Sequence, residues 1–281
     1  TRNTDLLKPG SFDQALHDCD FVAHCASPFQ FADPDDPQKG FVDPAVNGTL
    51  NVLNSALKSK TVKRVVLTSS CAAISWGDPS KHPDGGVSHV WNEDDWQTDN
   101  TLTNKPYRYS KRLAEEAAWD FVKRHKNCFD LAVINPSFVL GPVLSTRVDA
   151  ASVKYMKSLL DGSSSTTFPI TFGTIDVRDV ALAHMNAMFL DLEEKGVRNR
   201  HGQARFVLSS SIGPLDVAKY LRDEFDGFVI PTTQDASTKS PVRYDNTRAK
   251  KFLDIDFRPI QQQILDGARS LIAKGIVTMP T

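Results

Sequence analysis

The sequence predicts an α/β protein organised on a doubly wound parallel sheet. Three observations carry this. Short β-branched, apolar runs alternate with longer segments of helical periodicity through the first half of the chain. Strands separated by helices imply right-handed crossovers and hence parallel pairing. The strand runs end on small polar residues, Ala26-Ser27, Thr68-Ser69-Ser70 and Asn135-Pro136, the composition of a carboxyl edge at which such sheets bind ligands.

The elements follow in order. Ser11-Phe12-Asp13-Gln14 has the spacing of a capping box and predicts a short helix to about Asp18. Phe21–Cys25 reads as a buried strand, stopped at Pro28. Val46, Leu50, Val52, Leu53, Ala56 and Leu57 recur at helical spacing and predict a helix over 44–59. Val62–Leu67 is a strand. A long helix runs from Tyr107 to His125, with Leu113, Ala114, Ala117, Ala118, Phe121 and Val122 as its apolar stripe. Leu131–Ile134 is the next strand, closed by Asn135-Pro136. Beyond Gly141-Pro142 the rhythm loosens, and the Ser/Thr-rich stretch 159–172 reads as a mobile loop. Helices are expected over 177–192, over 214–225 with Pro214 at the favoured first position, and over 261–274; 205–208 is a strand.

Composition narrows the class. The 281 residues are 40% hydrophobic and 24% charged, which is globular rather than disordered or fibrous. Lys and Arg total 33 against 34 Asp and Glu, so no basic field favours nucleic acid. No apolar run approaches the roughly 20 residues of a membrane span. Cys19, Cys25, Cys71 and Cys128 form no CxxC pair and no zinc spacing, and the seven histidines include no HExxH. The expectation is a cytoplasmic protein with no bound metal, no nucleic-acid partner and no membrane partner.

The chemistry is carried by Tyr107 and Lys111. At i and i+4 on a helix they share one face, about 5–6 Å apart at Cβ. An ammonium beside a phenol favours the phenolate, so Lys111 is expected to lower the Tyr107 pKa and make it a general acid near neutral pH. Ser70, at a strand's carboxyl end upstream, is placed to bond the carbonyl oxygen that Tyr107 protonates. YxxxK recurs by chance in many helices, so the converging strand ends, rather than the pair alone, support the reading.

Together these stretches resemble an extended short-chain dehydrogenase/reductase of the dihydroflavonol reductase, cinnamoyl-CoA reductase and aldehyde reductase group. The matching segments are DLLKPGSFDQAL (5–16), FVAHCASP (21–28), VNGTLNVLNSA (46–56), KRVVLTSSCAA (63–73), YRYSKRLAEEAAW (107–119), AVINPSFVLGP (132–142), VRDVALAHMNAM (177–188) and YDNTRAKKFLDIDFRP (244–259). The resemblance implies a Rossmann-like domain over 1–141, incomplete at its N-terminus, and a mainly substrate-binding region over 142–281, with about 174–208 returning to the first domain. It implies Ser70, Tyr107 and Lys111 as the catalytic triad, with Lys111 also holding the nicotinamide ribose. Ala26 and Ser27 would lie along the cofactor, Asp5 and Leu6 at the adenine, and Pro136 and Val139 around the carboxamide. Ser75, Trp76, Phe138 and Tyr155 are candidate substrate contacts. Ser69 reads as a strand cap, Asn47 as a structural asparagine facing the sheet, and His184 as a satisfied interior histidine.

The sequence departs from the group in places. It contains no GxxGxxG turn, the family's cradle for the cofactor pyrophosphate at a helix N-terminus. About 60 residues, two βα units, would precede Thr1. A fragment is expected rather than a protein lacking the unit, because loss of central strands would bare sheet edges. The stretch Lys105–Lys111 departs from the cinnamoyl-CoA reductase signature NWYCYGK, and Ser75 stands where dihydroflavonol reductases carry asparagine or a close substitute. The expectation is therefore NADP(H)-dependent reduction of an aldehyde or ketone, NADP(H) favoured over NAD(H), by a monomer or homodimer. A nucleotide-sugar epimerase or dehydratase and a non-catalytic NAD(P)-binding sensor remain alternatives.

Overall fold

Four parallel strands form the central sheet of the computed structural model, which describes residues 4–27, 34–75, 89–126, 128–168, 172–234 and 242–278. They are β1 (Phe21–His24), β2 (Arg64–Thr68), β4 (Asp130–Pro136) and β7 (Ala204–Leu208), in the order β1-β2-β4-β7. In register, Ala23 meets Val66 and Val66 meets Ala132. The β-branched runs thus lie side by side, and their C-terminal ends converge on one edge.

Side-chain alternation along the strands sorts the core into two layers. Val65, Leu67, Leu131 and Val133 point to one face, where they meet Val52, Leu53 and Ala56 of α1 (Asp43–Ser59) and Ala118 and Phe121 of α2 (Pro106–Arg124). Val66, Ala132 and Ile134 point to the other. There they meet Ala183 and Ala187 of α4 (Val177–Phe189) and Ala249 and Leu253 of α6 (Thr247–Leu253). Each Val, Leu, Ile or Phe buried here contributes roughly 1.5–3 kcal/mol. The end of α4 is closed by Arg64, whose Nη1 donates to the carbonyls of Ala187, Met188 and Leu190 at 3.0, 3.1 and 2.6 Å. A cation suits the negative end of a helix dipole.

A second sheet takes over where β4 ends. β5 (Phe138–Leu140) pairs parallel with β6 (Phe172–Asp176), which pairs antiparallel with β8 (Ser210–Ile212). Around it pack α3 (Ala151–Leu160), α5 (Pro214–Glu224) and α7 (Ile260–Ala273). Gly141 follows β5 at φ +108°, and a Cβ on Gly267 of α7 would lie 3.1 Å from the Gly141 carbonyl oxygen. Gly141 takes a backbone conformation that L side chains rarely adopt, and a side chain at 267 would press on it. β3 (Val90–Trp91) and β9 (Arg243–Tyr244) form a separate parallel pair.

Three expectations are corrected. Residues 11–18 form successive turns, not a helix. The Ser11 hydroxyl is drawn back to Asp5, donating to its carbonyl at 2.6 Å and accepting from its N–H at 3.2 Å, so it does not cap. The stretch 159–172 is not one loop: Leu159 and Leu160 end α3 fully buried, and Phe172 begins β6. Asn47 is exposed, and the buried asparagine of α1 is Asn51, one turn on. Its amide donates to the carbonyls of Leu6 and Lys8 and accepts from Gly10 N, which ties the N-terminal turns to the helix.

Candidate active site

The converging strand ends and the start of α2 bring Ser70, Tyr107 and Lys111 together. Lys105, in left-handed conformation, turns the chain and Pro106 opens α2, so Tyr107 lies in the first turn, with Lys111 one turn on. Ser70 follows β2 directly. Its Oγ accepts from Ala72 N at 3.0 Å, which caps a short 3-10 turn over 71–73 and fixes the rotamer. The Ser70 hydroxyl lies near enough to the Tyr107 phenol to favour its ionised form. Lys111 Nζ lies 5.5 Å from the centroid of the Tyr107 ring, and Phe41 packs edge-on against that ring with centroids 5.8 Å apart.

The electrostatics differ from the expectation that Lys111 lowers the Tyr107 pKa. Burial pushes the Tyr107 phenol up to about 12, against an opposing effect of the Ser70 hydrogen bond. Burial also pushes Lys111 down to about 8. Desolvation is the leading cause of both shifts. Tyr107 is therefore held protonated, as a proton donor. His24, on β1, is held neutral: burial and then the Lys111 charge push it down to about 4.

Lys111 is 7% exposed, and among the described residues it has no ion-pair or hydrogen-bond acceptor. Ser27 Oγ, just past the end of β1, is likewise buried without a partner. Ala26 beside it is exposed. Pro136 closes β4 and Val139 lies in β5, on the wall of a cavity of about 450 Å³ that also includes Gly141, Met156 and Val177. Asp5 is exposed and its carboxylate accepts from Leu7 N at 2.8 Å; Leu6 is half-buried against α1.

Among the candidate substrate residues, Phe138 and Tyr155 do meet. They pack edge-on at 5.8 Å, and Tyr155 stacks on Phe168 at 4.0 Å with its hydroxyl buried and unpartnered. Ser75 is fully buried, with its hydroxyl 2.6 Å from Tyr244 Oη and 3.1 Å from the Cys71 carbonyl. Trp76 lies outside the described residues. His184 is satisfied, its two nitrogens at 2.6 Å from Thr68 Oγ1 and 2.8 Å from the Val180 carbonyl. Sequence reasoning missed the buried network behind the site, Glu115 with Ser69, Asn135 and Arg205. Its signal was present: Glu115 follows Ala114 on the sheet-facing side of α2, a position where a carboxylate needs partners.

Residues 1–190 match the NAD dependent epimerase/dehydratase family. The chain belongs to that family. It is 37% identical over 278 residues to cinnamoyl-CoA reductase CAD2 of Medicago truncatula, an alignment covering 98% of this chain and 80% of that protein. It is 32% identical over 288 residues to ketoreductase azaE of Aspergillus niger, covering 96% of this chain and 81% of that protein. Among solved structures it is similar to yeast methylglyoxal/isovaleraldehyde reductase Gre2 complexed with NADPH. The TM-score is 0.77 at 30% identity, covering 98% of this chain and 84% of that one. The fold is Rossmann-like, the architecture the sequence implied.

Proposed function

We propose that this chain is an NADPH-dependent reductase of aldehydes or ketones, with Ser70, Tyr107 and Lys111 as its reacting site. The observation that carries this is Ser70 beside Tyr107 at the carboxyl edge of the sheet, next to a buried Lys111 that has no hydrogen-bond acceptor among the described residues. The relatives named above are reductases, one of them bound to NADPH, which favours reduction over sugar-nucleotide chemistry.

Two observations fit a nicotinamide ribose at this edge: a buried cation with no acceptor among the described residues, and the Ser27 hydroxyl, buried without a partner among them. Lys111 and Ser27 would hold it, with Ala26, Pro136 and Val139 along the ring and Asp5 and Leu6 towards the adenine. The pyrophosphate has no such fit here, since no GxxGxxG turn occurs in the 281 residues. Bound NADPH supplies the hydride. Tyr107 donates its proton to the substrate oxygen as negative charge develops there, and its high pKa guarantees the proton is present at neutral pH. Ser70 shares a hydrogen bond with that oxygen and with the phenol, so oxygen and proton are aligned before transfer. The Lys111 ammonium stabilises the phenolate left behind, which removes much of the burial penalty in the reacting state. Phe138 and Tyr155 would offer an apolar, aromatic wall to the substrate body; Ser75, fully buried with its hydroxyl bonded to Tyr244 and to the Cys71 carbonyl, does not reach it.

The test is turnover of an aldehyde and ketone panel with NADPH by wild type and Tyr107→Phe. Loss of turnover with NADPH affinity retained supports the assignment. Retained turnover in Tyr107→Phe removes Tyr107 from the chemistry.

A further inference from the structure

Immediately behind Tyr107 and Lys111 lies a buried charge that proton transfer does not use. Glu115 stands one turn beyond Lys111 on α2 and is fully enclosed. Its Oε2 accepts from Ser69 Oγ at 2.5 Å and from Asn135 Nδ2 at 2.8 Å. Its Oε1 accepts from Arg205 Nε at 2.6 Å and from Trp119 Nε1 at 3.4 Å. Arg205 is also fully enclosed. Its Nη1 donates to the carbonyls of Glu93 and Asp95 at 2.8 Å each, and its guanidinium lies 3.9 Å over the Trp96 ring.

The partners are not scattered. Ser69 immediately precedes Ser70 at the end of β2. Asn135 sits at the end of β4 and also donates to the Ser70 carbonyl at 3.3 Å. Arg205 belongs to β7. One carboxylate therefore ties the ends of two strands, and a third strand through Arg205, to the helix that carries Tyr107 and Lys111. A buried ion pair is a poor source of net stability, because desolvation offsets the attraction. An apolar contact would hold α2 on the sheet equally well. What charge-assisted bonds add is fixed direction: a shift of the helix along the sheet breaks several of them at once.

We propose that Glu115, paired with Arg205, is a positioning residue for the reduction, holding Ser69 and Asn135 so that Ser70 stays in register with Tyr107. It acts through Ser70 and touches no substrate. The inference rests on the reading of Ser70, Tyr107 and Lys111 given above.

The experiment compares wild type, Ser69→Ala, Glu115→Gln, Ser70→Ala, the Ser69→Ala/Ser70→Ala double variant and Tyr107→Phe. Each is assayed with NADPH and an aldehyde that wild type reduces. Active sites are counted by NADPH titration, so that kcat is expressed per intact site. Ser69→Ala removes one hydrogen bond and leaves the ion pair, which keeps the test alive if Glu115→Gln does not fold. The expected result is a fall in kcat per site of about tenfold in Ser69→Ala and about a hundredfold in Glu115→Gln, with KM for NADPH within about twofold of wild type. In a Ser70→Ala background, Ser69→Ala should cost nothing further, because its effect passes through Ser70. A merely structural residue would lower the number of titratable sites and leave kcat per site unchanged. That outcome, or an equal loss in both backgrounds, overturns the proposal. Turnover surviving in Tyr107→Phe would instead overturn the site reading itself, so the two failures are distinguishable.

Discussion

Replacing Lys111 by Met should make the protein more stable while removing its activity. Lys111 is 7% exposed, and burial lowers its pKa from 10.5 to about 8. A tenfold change in proton affinity corresponds to about 1.4 kcal/mol, so holding this ammonium charged in the folded state costs about 3 kcal/mol at pH 7. Met keeps the length and the apolar stem. It forfeits the ammonium's position 5.5 Å from the Tyr107 ring centroid, a contact worth about 0.5–2 kcal/mol. The net gain is about 1–3 kcal/mol, and each kcal/mol raises the melting temperature by about 2–4 °C in a chain of this size. The sign with pH is fixed. Between about 8 and 10.5 the unfolded chain binds the proton and the folded one does not, so wild-type stability from this group rises with pH across that window. The advantage of Lys111→Met must therefore be full below pH 8 and vanish by about pH 10.5. Thermal or urea melts of both proteins at pH 7 and at intervals to pH 10.5 measure it, and carbonyl turnover with NADPH records the functional loss. A Lys111→Met protein less stable than wild type at pH 7, or an advantage that ignores pH, would refute the claim that the site stores the cost of a desolvated charge.

Further outcomes are expected. Tyr107→Phe should lower kcat about 10²–10⁴-fold while leaving the NADPH dissociation constant near wild type, as steady-state kinetics and a fluorescence titration would show. His24, held down at about 4, binds no proton in the fold where an unfolded histidine does. It therefore removes about 3 kcal/mol of stability as pH falls from 6.5 to 4, and a His24→Gln variant should show a shallower acid limb in pH-dependent urea melts. Gly173→Ala drives a Cβ into Ser209 Oγ and to 2.9 Å from Ser137 Cβ, and overpacking there should cost about 1–3 kcal/mol by denaturant melt.

Part of this molecule was legible in its sequence, and the division has a physical basis. The central strands and α1, α2 and α4 were found because each buries a face against one sheet, which imposes a clear period: Val65 and Val66 point to opposite layers, and Val52, Leu53 and Ala56 line one helix face. The second sheet was not found. Its strands are short, begin beside Pro136 or in Ser/Thr-rich sequence, and take their pairing from distant segments, Ser210–Ile212 against Phe172–Thr174. α3 was missed although Ala151, Tyr155 and Leu159 recur every fourth residue. The Ser11 cap failed because the cap hydroxyl had a competing partner, the Asp5 backbone, that local pattern does not reveal.

The same division runs through the site. Which residues meet was readable, since strand ends and an i, i+4 pair are properties of topology. How they titrate was not, because that depends on burial. From spacing, Lys111 lowers the Tyr107 pKa; in the fold, desolvation raises one group to about 12 and lowers the other to about 8. The two effects have one chemical consequence. Before reaction the phenol is neutral and the ammonium is strained, so the pair favours neither proton loss nor charge. In the reaction proposed here, once Tyr107 gives its proton to a developing alkoxide, the phenolate and the ammonium would neutralise each other in a low-dielectric setting, where attraction is strongest. On that proposal the penalty stored by burial would be released in the reacting state and not in the resting one, which is the condition for lowering a barrier rather than merely tightening a complex. A Lys111→Arg variant tests this. The charge is conserved, but a planar guanidinium on a longer side chain cannot take the place of the compact ammonium 5.5 Å from the Tyr107 ring centroid, so its kcat should stay well below wild type.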